Sequence, residues 1–494
     1  MVLLVQSKDL YENDLRAMMQ AFFPEEKQQT MRPEEVAGLD RKLYKEFTFI
    51  LTALFRGREV CLKIEEHGRV LFSAYIYGDY EDRQSFRNRL KLGSYRLLSE
   101  YSGRTLPWGS LTGMRPTKIA TAKRKEGLID EAIEEFYMHT YDCSKEKARL
   151  ATTVSKHEQS ILAEYDPEKD YALYVGIPFC PTRCVYCSFA AYPIERFESK
   201  VPEYIDALIT ELQNIALMCA SRHLKVIYIG GGTPTSLSAR ELERLLTAIE
   251  DNFDFSYLME YTVEAGRPDS ITGDKLAAMK KHGVTRISIN PQTLNNGTLR
   301  KIGRKHTVAQ FEHAYDIARK GGFDNINMDL IAGLPGEGVA EFQRSIEGVI
   351  EMAPESITLH SLAMKRAAEL SSVDSEAAKA LREERSNETE ESLSLARELL
   401  EKNGYAPYYL YRQRNIAGNL ENVGYSKSGR ECIYNVLIIE EKIDTLAAGA
   451  GAVTRIVHPG DTTVDRVANV KDVDEYIQKL EKMIDKKRAA FYVD

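Results

Sequence analysis

The stretch YVGIPFCPTRCVYCSFAAY, residues 174–192, decides how the chain is read. It places Cys180, Cys184 and Cys187 within eight positions, after an apolar run and before any helix begins. Three readings compete for this C-x3-C-x2-C spacing. A structural zinc site asks for four ligands, usually as two separated Cys or Cys/His pairs, and the other cysteines (Cys61, Cys143, Cys219 and Cys432) are isolated in sequence. An iron–sulfur cluster is normally held by four thiolates, so three leave one iron open to a ligand from elsewhere. The third reading is three plain thiols. The isolated cysteines fit small buried hydrophobes. Seven cysteines in a chain opening MVLLVQSKDL, without a basic leader or cleavage site, predict reduced thiols rather than a disulfide framework.

Beyond Lys169, short apolar runs alternate with helical segments. The runs YALYVGIP (171–178), KVIYIGG (225–231), YTVEAG (261–266), RISINP (286–291), NINMDLIAG (325–333) and SITLHSL (356–362) predict strands. Helical periodicity predicts helices over 201–219, 238–251, 271–282, 308–320 and 338–350. Such alternation pairs strands in parallel with right-handed crossovers, so the expected fold class is α/β, a six-stranded partial barrel or open curved sheet.

Barrel-like folds of this kind carry their chemistry on the loops at the carboxyl ends of the strands. The first such loop holds the cysteines. The second reads Gly230-Gly231-Gly232-Thr233-Pro234-Thr235, where missing Cβ atoms let backbone groups approach a ligand, or simply make a tight turn. The later loops bring Glu264 with Arg267, Asn290 with Gln292, and Asp329 with Gly333-Leu334-Pro335-Gly336. Glu264, Gln292, Arg304 and Asp329 supply two acceptors for hydroxyls or an amine, one amide, and one cation for a carboxylate. A zwitterionic amino acid joined to a ribose needs such a set.

The flanks are less telling. Residues 1–165 read as a separate α+β domain: a first strand in MVLLV, consecutive antiparallel strands in FTFILTALF (47–55), REVCLKIEEHG (58–68) and RVLFSAYIYG (69–78), then helices. The segment LPWGSLTGMRPTKIA (106–120) holds the lone tryptophan, Trp108, near Arg115 and Lys118. It fits either a ligand- or partner-facing indole or a buried anchor in a long loop. Residues 166–370 form the expected α/β core, and 371–494 a C-terminal α/β extension. That extension comprises a charged helix over 373–404, the aromatic run APYYLYRQRN (406–415), the glycine-rich LAAGAGA (446–452) and an amphipathic helix over 471–488. A net charge of −8 gives no reason to expect nucleic acid as a partner. No apolar run of ~18 residues is present to span a membrane, and a cytoplasmic location is expected.

The motifs carry a resemblance. C-x3-C-x2-C after YVGIPF, then GGGTPT, VEA, RISINPQTLN, GRKHT and MDLIAGLPGE are similar to the radical S-adenosylmethionine superfamily. More narrowly they resemble the oxygen-independent coproporphyrinogen III oxidases, most closely their HemZ branch of coproporphyrinogen dehydrogenase-like proteins. The resemblance covers about 165–365 with specific motifs and 400–455 more loosely. It implies a partial (β/α)6 radical SAM barrel with a [4Fe-4S] cluster on Cys180, Cys184 and Cys187, whose fourth iron takes the amino and carboxylate groups of S-adenosylmethionine. It puts Tyr174 and Tyr186 near the cluster and the adenine, Gly231, Gly232 and Thr233 at the methionine amine, and Glu264, Gln292, Arg304 and Asp329 at the carboxylate and ribose. The implied reaction uses a 5′-deoxyadenosyl radical to decarboxylate coproporphyrinogen III propionates to vinyl groups, with 371–494 covering a tetrapyrrole substrate and a flavodoxin or ferredoxin giving the electron. Radical modification or degradation of heme, and heme chaperoning without turnover, are the alternatives.

The sequence also departs from that pattern. A fourth cysteine following the run is absent, Ser188 and Phe189 standing after Cys187, and the histidine common before Ile-Pro-Phe is Gly176. The heme-chaperone branch carries a His-Asn…Tyr-Trp motif where this chain reads Ile433-Tyr434-Asn435-Val436-Leu437. For the propionates, Lys365, Arg366, Arg412 and Arg414 with Tyr408, Tyr409 and Tyr411 are the candidate contacts; the competing reading is a solvated face beside a small aromatic core.

Overall fold

The structure, a computed structural model, describes residues 1–492 apart from 25, 39–43, 45, 80, 81, 188–190, 363–375, 413–418 and 459–462, with the backbone alone over 376–387. The chain divides into two compact units. One comprises Met1–Lys156, Ser361–Glu390 and Leu410–Asn422, the other His157–His360, Glu391–Tyr409 and Val423–Asp494.

The first unit is built on a five-stranded sheet of β1 (Val2–Gln6), β2 (Gln28–Met31), β3 (Ile50–Arg56), β4 (Glu59–Glu66) and β5 (Arg69–Tyr77), in the order β2-β1-β3-β4-β5. The expected antiparallel run is β3-β4-β5, while β1 lies inside the sheet, parallel to both β2 and β3. One face packs Val2, Leu4, Leu51, Leu62 and Ile64 against Leu15, Met18 and Phe22 of helix Glu12–Phe22 and Phe86, Leu90 and Leu98 of helix Arg83–Ser102. That second helix starts where the Asp82 carboxylate accepts from Ser85 N at 3.2 Å and stops at the left-handed Gly103.

Most of an eleven-stranded sheet lies in the second unit. The six expected strands are β6 (Asp170–Ile177), β9 (His223–Gly231), β10 (Glu260–Val263), β11 (Arg286–Ser288), β12 (Ile326–Ala332) and β13 (Ser356–Ser361); β7 (Phe179–Cys180) and β8 (Tyr192–Pro193) form a small parallel pair apart from it. From β6 through β9, β10, β11 and β12 each neighbour is parallel, and β13 follows. The helices between them, Val201–Met218, Ala239–Asn252, Gly273–Lys281, Val308–Lys320 and Val339–Met352, lie where the periodicity puts them.

The sheet does not stop at six strands. Beyond β13 come β15 (Glu421–Ser426), antiparallel to it, and β14 (Ala406–Arg412); beyond β6 come β16 (Asp444–Ala448), β17 (Val453–Val457) and β18 (Val464–Ala468). β16 runs parallel to β6 along its whole length, from Asp444 beside Tyr171 to Ala448 beside Val175. An uncovered β6 would leave a row of unpaired backbone groups at an apolar edge, and the C-terminal segment removes it. The glycines of 446–452 serve this approach: a Cβ on Gly449 would lie 2.4 Å from Gly176 O, and Gly449 has φ 105°. The expected final helix is two, Val473–Gln478 and Leu480–Phe491. Among the described residues no helix is long and apolar enough to cross a membrane.

Candidate functional site

β6 delivers the chain to the cysteines, and the glycine loop after β9 closes over them. Gly232 N donates to Ile177 O and Thr233 N to Phe179 O, both at 2.7 Å. A Cβ on Gly232 would sit 2.5 Å from Phe179 O and 3.0 Å from Cys180 Sγ, and Gly231 has φ 108°. Only glycines let the two loops zip this closely. Thr233 then brings its hydroxyl to 3.4 Å from Cys180 Sγ. Burial pushes the Cys180 thiol up to about 11; Thr233 opposes this, while Cys187 and Cys184 are near enough to add to it.

The rest of the cysteine loop is clamped from below. Val185 N donates to Ile302 O and Thr182 Oγ1 to Gly303 O, each at 3.2 Å. Arg267, held by Asp269 at 2.7 Å, donates to Thr182 Oγ1 at 3.1 Å and reaches Cys184 Sγ at 3.6 Å. Tyr186 accepts from Arg304 Nε at 3.2 Å, and its hydroxyl lies close enough to the Cys184 thiol for each to feel the other's charge. Arg304 in turn donates to Asn290 O, and Asn290 Nδ2 to Asp329 Oδ2 at 2.7 Å. A continuous polar path thus joins Cys184 to Asp329 on the sheet's fifth parallel strand.

Asp329 is partly buried, which works against its charge. His360 at 3.6 Å and donors from Asn327 and Thr358 overcome this and hold its carboxyl below the usual range. Gln292 takes a left-handed backbone, φ 68°, donating from N to Asp329 O at 2.9 Å and accepting from Ile331 N at 3.0 Å. Its side-chain Oε1 and Asn290 Oδ1 are buried without a hydrogen-bond partner, an arrangement proteins rarely leave unless a ligand completes it. Glu264, at the end of β10, accepts from Tyr228 Oη, and burial raises its carboxyl to about 7.

Tyr174 lies deeper. Its ring stacks with Tyr228 (centroids 6.2 Å apart) and Tyr434 (6.0 Å), which themselves stack at 4.2 Å. The predicted residues therefore fall into three linked sets: the cysteines with Gly231, Gly232 and Thr233; Tyr186, Arg304, Asp329 and Gln292; and Glu264 with Tyr174. Among the described residues no three Cys, His, Asp or Glu side chains surround a single ion position; a cluster takes its thiolates at separate corners instead.

Several substrate candidates are overturned. Tyr408 and Tyr409 are buried, and Arg412 is 3% exposed, with its guanidinium 5.4 Å from the Trp108 ring and donating to Leu111 O at 3.0 Å. They are core residues of that aromatic run; Lys365, Arg366 and Arg414 lie outside the described residues. Trp108 is a buried anchor, its Nε1 donating to Glu421 at 2.7 Å. Tyr228, Tyr434, Thr182, Asp269 and His360 were not anticipated. Tyr228 was signalled by the Tyr-x-Gly shared by β6 (Tyr174-Val175-Gly176) and β9 (Tyr228-Ile229-Gly230), which the register places side by side.

Comparison with known proteins bears on this geometry. Residues 174–348 match the radical SAM superfamily. The oxygen-independent coproporphyrinogen-III oxidase-like protein HemZ of Bacillus subtilis is 40% identical over 416 residues, 83% of this chain and 82% of that one. This chain belongs to the HemZ branch of the radical SAM superfamily. The heme chaperone HemW of Lactococcus lactis is 39% identical over 198 residues, 40% of this chain and half of the chaperone. The structure of Escherichia coli coproporphyrinogen III oxidase, HemN, a radical SAM enzyme, superposes with a TM-score of 0.51 at 24% identity over 67% of this chain and 73% of that one, and so shares its fold.

Membership of the superfamily implies a [4Fe-4S] cluster and S-adenosylmethionine, and the residues present fit both. The thiols are three, the glycine loop leaves room that a Cβ would fill, and the buried Gln292 acceptor is unsatisfied. A Cβ on Gly176 would meet Ala448 O and Tyr174 at 3.4 Å, in contact with the returning C-terminal strand.

Proposed function

We propose that this chain is a radical S-adenosylmethionine oxidoreductase of tetrapyrrole metabolism that oxidatively decarboxylates coproporphyrinogen III propionates to vinyl groups, giving protoporphyrinogen IX. Cys180, Cys184 and Cys187 hold the cluster in this reading. Gly231, Gly232 and Thr233 admit the methionine end of the cofactor, Glu264 and Arg304 meet its amine and carboxylate, and Gln292 and Asp329 take the ribose. When bound, the pair supplies one-electron cleavage of a sulfonium and a radical able to abstract hydrogen from an unactivated carbon, which no side chain can do. The chain's own part is to orient and to exclude water. Arg267 fixes the Cys184 side of the loop, Tyr186 and Arg304 tie it to the ribose side, and the tyrosine stack fills the interior beneath.

The observation carrying this reading is the polar path from Cys184 to Asp329 beside an unsatisfied Gln292. A second reading, heme chaperoning, is favoured by the likeness to HemW. Against it, the chain has neither His nor Trp at 433–437, Cys432 is buried at 3.5 Å from Glu260, and Tyr434 is locked in the stack.

Anaerobic assays of the reconstituted protein with a flavodoxin or ferredoxin, given coproporphyrinogen III in one arm and heme in another, separate them. The expected products are deoxyadenosine, CO2 and a vinyl tetrapyrrole. Deoxyadenosine with a linear or alkylated tetrapyrrole would move the reading to heme modification or degradation, and tight heme binding without turnover to chaperoning.

A further inference from the structure

The backbone from Gly176 to Phe179, which leads into Cys180, is gripped from two sides. One is the glycine loop after β9. The other is the C-terminal segment, which arrives through a chain of buried polar side chains. Helix Val201–Met218 carries Tyr204 and Glu211, two turns apart and so on one face. Glu211 accepts from Gly449 N at 2.8 Å, Tyr476 Oη at 2.6 Å, Asn469 Nδ2 at 2.9 Å and Lys487 Nζ. Lys487, on helix Leu480–Phe491, also donates to Asn469 Oδ1 at 2.8 Å, and Asn469 Nδ2 donates to Gly449 O at 2.8 Å. All of these side chains are buried, and together they fix the peptide groups on both sides of Gly449.

Gly449 is pressed onto Gly176, and Tyr204 stands beside the contact. A Cβ on Gly449 would lie 2.8 Å from Tyr204 Oη. That hydroxyl donates to Gly176 O at 2.7 Å and accepts from Ala450 N at 3.0 Å, so it ties the loop after β16 to the end of β6. The Tyr204 ring meets Phe179 edge-on, centroids 5.2 Å apart, and tilts against Tyr476 at 5.2 Å. Tyr204 thus holds the backbone at Gly176 and the side chain of Phe179, whose carbonyl Thr233 N holds from the other side. A buried tyrosine hydroxyl needs only one partner; this one bridges two loops on one rim.

We propose that Tyr204 is a positioning residue for the cysteine loop and that Glu211 with Lys487 locks it, so that the last helix takes part in setting where Cys180 stands. The proposal rests on the reading that Cys180 is one of three cluster thiolates. A buried ion pair adds little net stability over apolar residues of the same volume. Its value here is geometric, because the donors gathered on one carboxylate leave Gly449, and with it Ala450 and Tyr204, a single arrangement. The glycine loop holds the carbonyls of Ile177 and Phe179, and Tyr204 holds the Gly176 carbonyl and the Phe179 ring. A displacement of this stretch passes directly to Cys180 and spreads its Sγ over several positions.

Hydrogen exchange of the full chain, read by mass spectrometry with and without the reconstituted cluster, tests this. Tyr204→Phe keeps the ring and loses both hydroxyl bonds. Peptides spanning 174–187 and 449–452 are expected to exchange about tenfold faster, the effect of one to two ordinary hydrogen bonds, while peptides of β10, β11 and β12 keep parent rates. In the loaded protein, iron and sulfide content is expected to stay at the parent's level, and the electron paramagnetic resonance lines of the reduced cluster to broaden as Cys180 spreads. Glu211→Leu with Lys487→Met, similar in volume and free of a stranded charge, is expected to quicken the same two peptides. Parent rates over 174–187 in Tyr204→Phe overturn the proposal, and so do rates that rise evenly through the whole unit, or lines of unchanged width. Parent rates in the double variant overturn the part given to the last helix. A parent that takes up no cluster defeats the function proposed above, and exchange in the metal-free chain still decides the positioning.

Discussion

Two carboxylates, Glu421 in the first unit and Glu264 in the second, are withdrawn from water, Glu421 fully and Glu264 in part, and their surroundings treat them in opposite ways. Glu421 accepts from Lys147 Nζ at 2.6 Å and from Trp108 Nε1 at 2.7 Å. Burial alone would push its pKa up, but Lys147 and Trp108 outweigh that and leave it lowered. Glu264 has the Tyr228 hydroxyl and a Gly231 backbone contact, too little to offset burial, and its carboxyl rises to about 7. A carboxylate provided with a cation holds a fold together. One left short of a cation beside the glycine loop has, in the function proposed above, a ligand's ammonium to take that place.

The largest expected effect lies on the Glu264 side. Cys184→Ala removes the thiol that Arg267 and Tyr186 hold in place, and is expected to cut iron and sulfide content severely and abolish S-adenosylmethionine cleavage. The Trp108–Glu421 core, with no share in that chemistry, keeps its near-ultraviolet circular dichroism. A variant with full iron, sulfide and cleavage would sink the cysteine assignment and remove the basis for setting the two carboxylates apart.

The converse change is smaller and structural. Lys147→Met leaves the Glu421 charge buried at 3% side-chain exposure without its cation, a class of change that costs about 3–5 kcal/mol. Chemical denaturation should register that loss in the first unit, with cleavage per folded molecule unchanged. Equal loss of cleavage would mean that Glu421 also serves the reaction.

Much of this was legible in the sequence, for identifiable reasons. The six runs from 171 to 362 are dense in Val, Ile, Leu and Tyr and bounded by helical segments, so β6 and β9–β13 fall within a few residues of expectation. β16 was not legible as the neighbour of β6, because its pairing joins residues about 270 positions apart and depends on Gly449 and Gly176 fitting together. The cysteines and glycines announce themselves by spacing. Tyr434 does not, since a tyrosine on an apolar helix reads as core until its stack with Tyr228 and Tyr174 is seen, and Tyr228 shows only through the Tyr-x-Gly that β9 shares with β6. Arg412 shows the reverse error: beside three tyrosines it suggests a carboxylate receptor, yet it is packed against Trp108.

The smallest effect tests the comparison most directly, through pH. Glu264 has its folded pKa raised from 4.5 to about 7. Between those values the folded chain keeps a proton that the unfolded chain has released, so this group's contribution to stability is full below 4.5, declines as pH rises, and is exhausted above about 7. The decline amounts to at most about 3 kcal/mol. Glu264→Gln cannot ionise, so its thermal unfolding should change less between pH 5 and pH 8 than the parent's, while the salt-bridged Glu421 contributes nothing to that window. A ligand ammonium beside Glu264 favours the charged form, so the parent should bind S-adenosylmethionine more tightly as pH climbs through about 7, and the glutamine variant should not. Identical pH slopes in parent and variant would make Glu264 as structural as Glu421, and the cofactor's amine would have to be sought beside Asp329 instead.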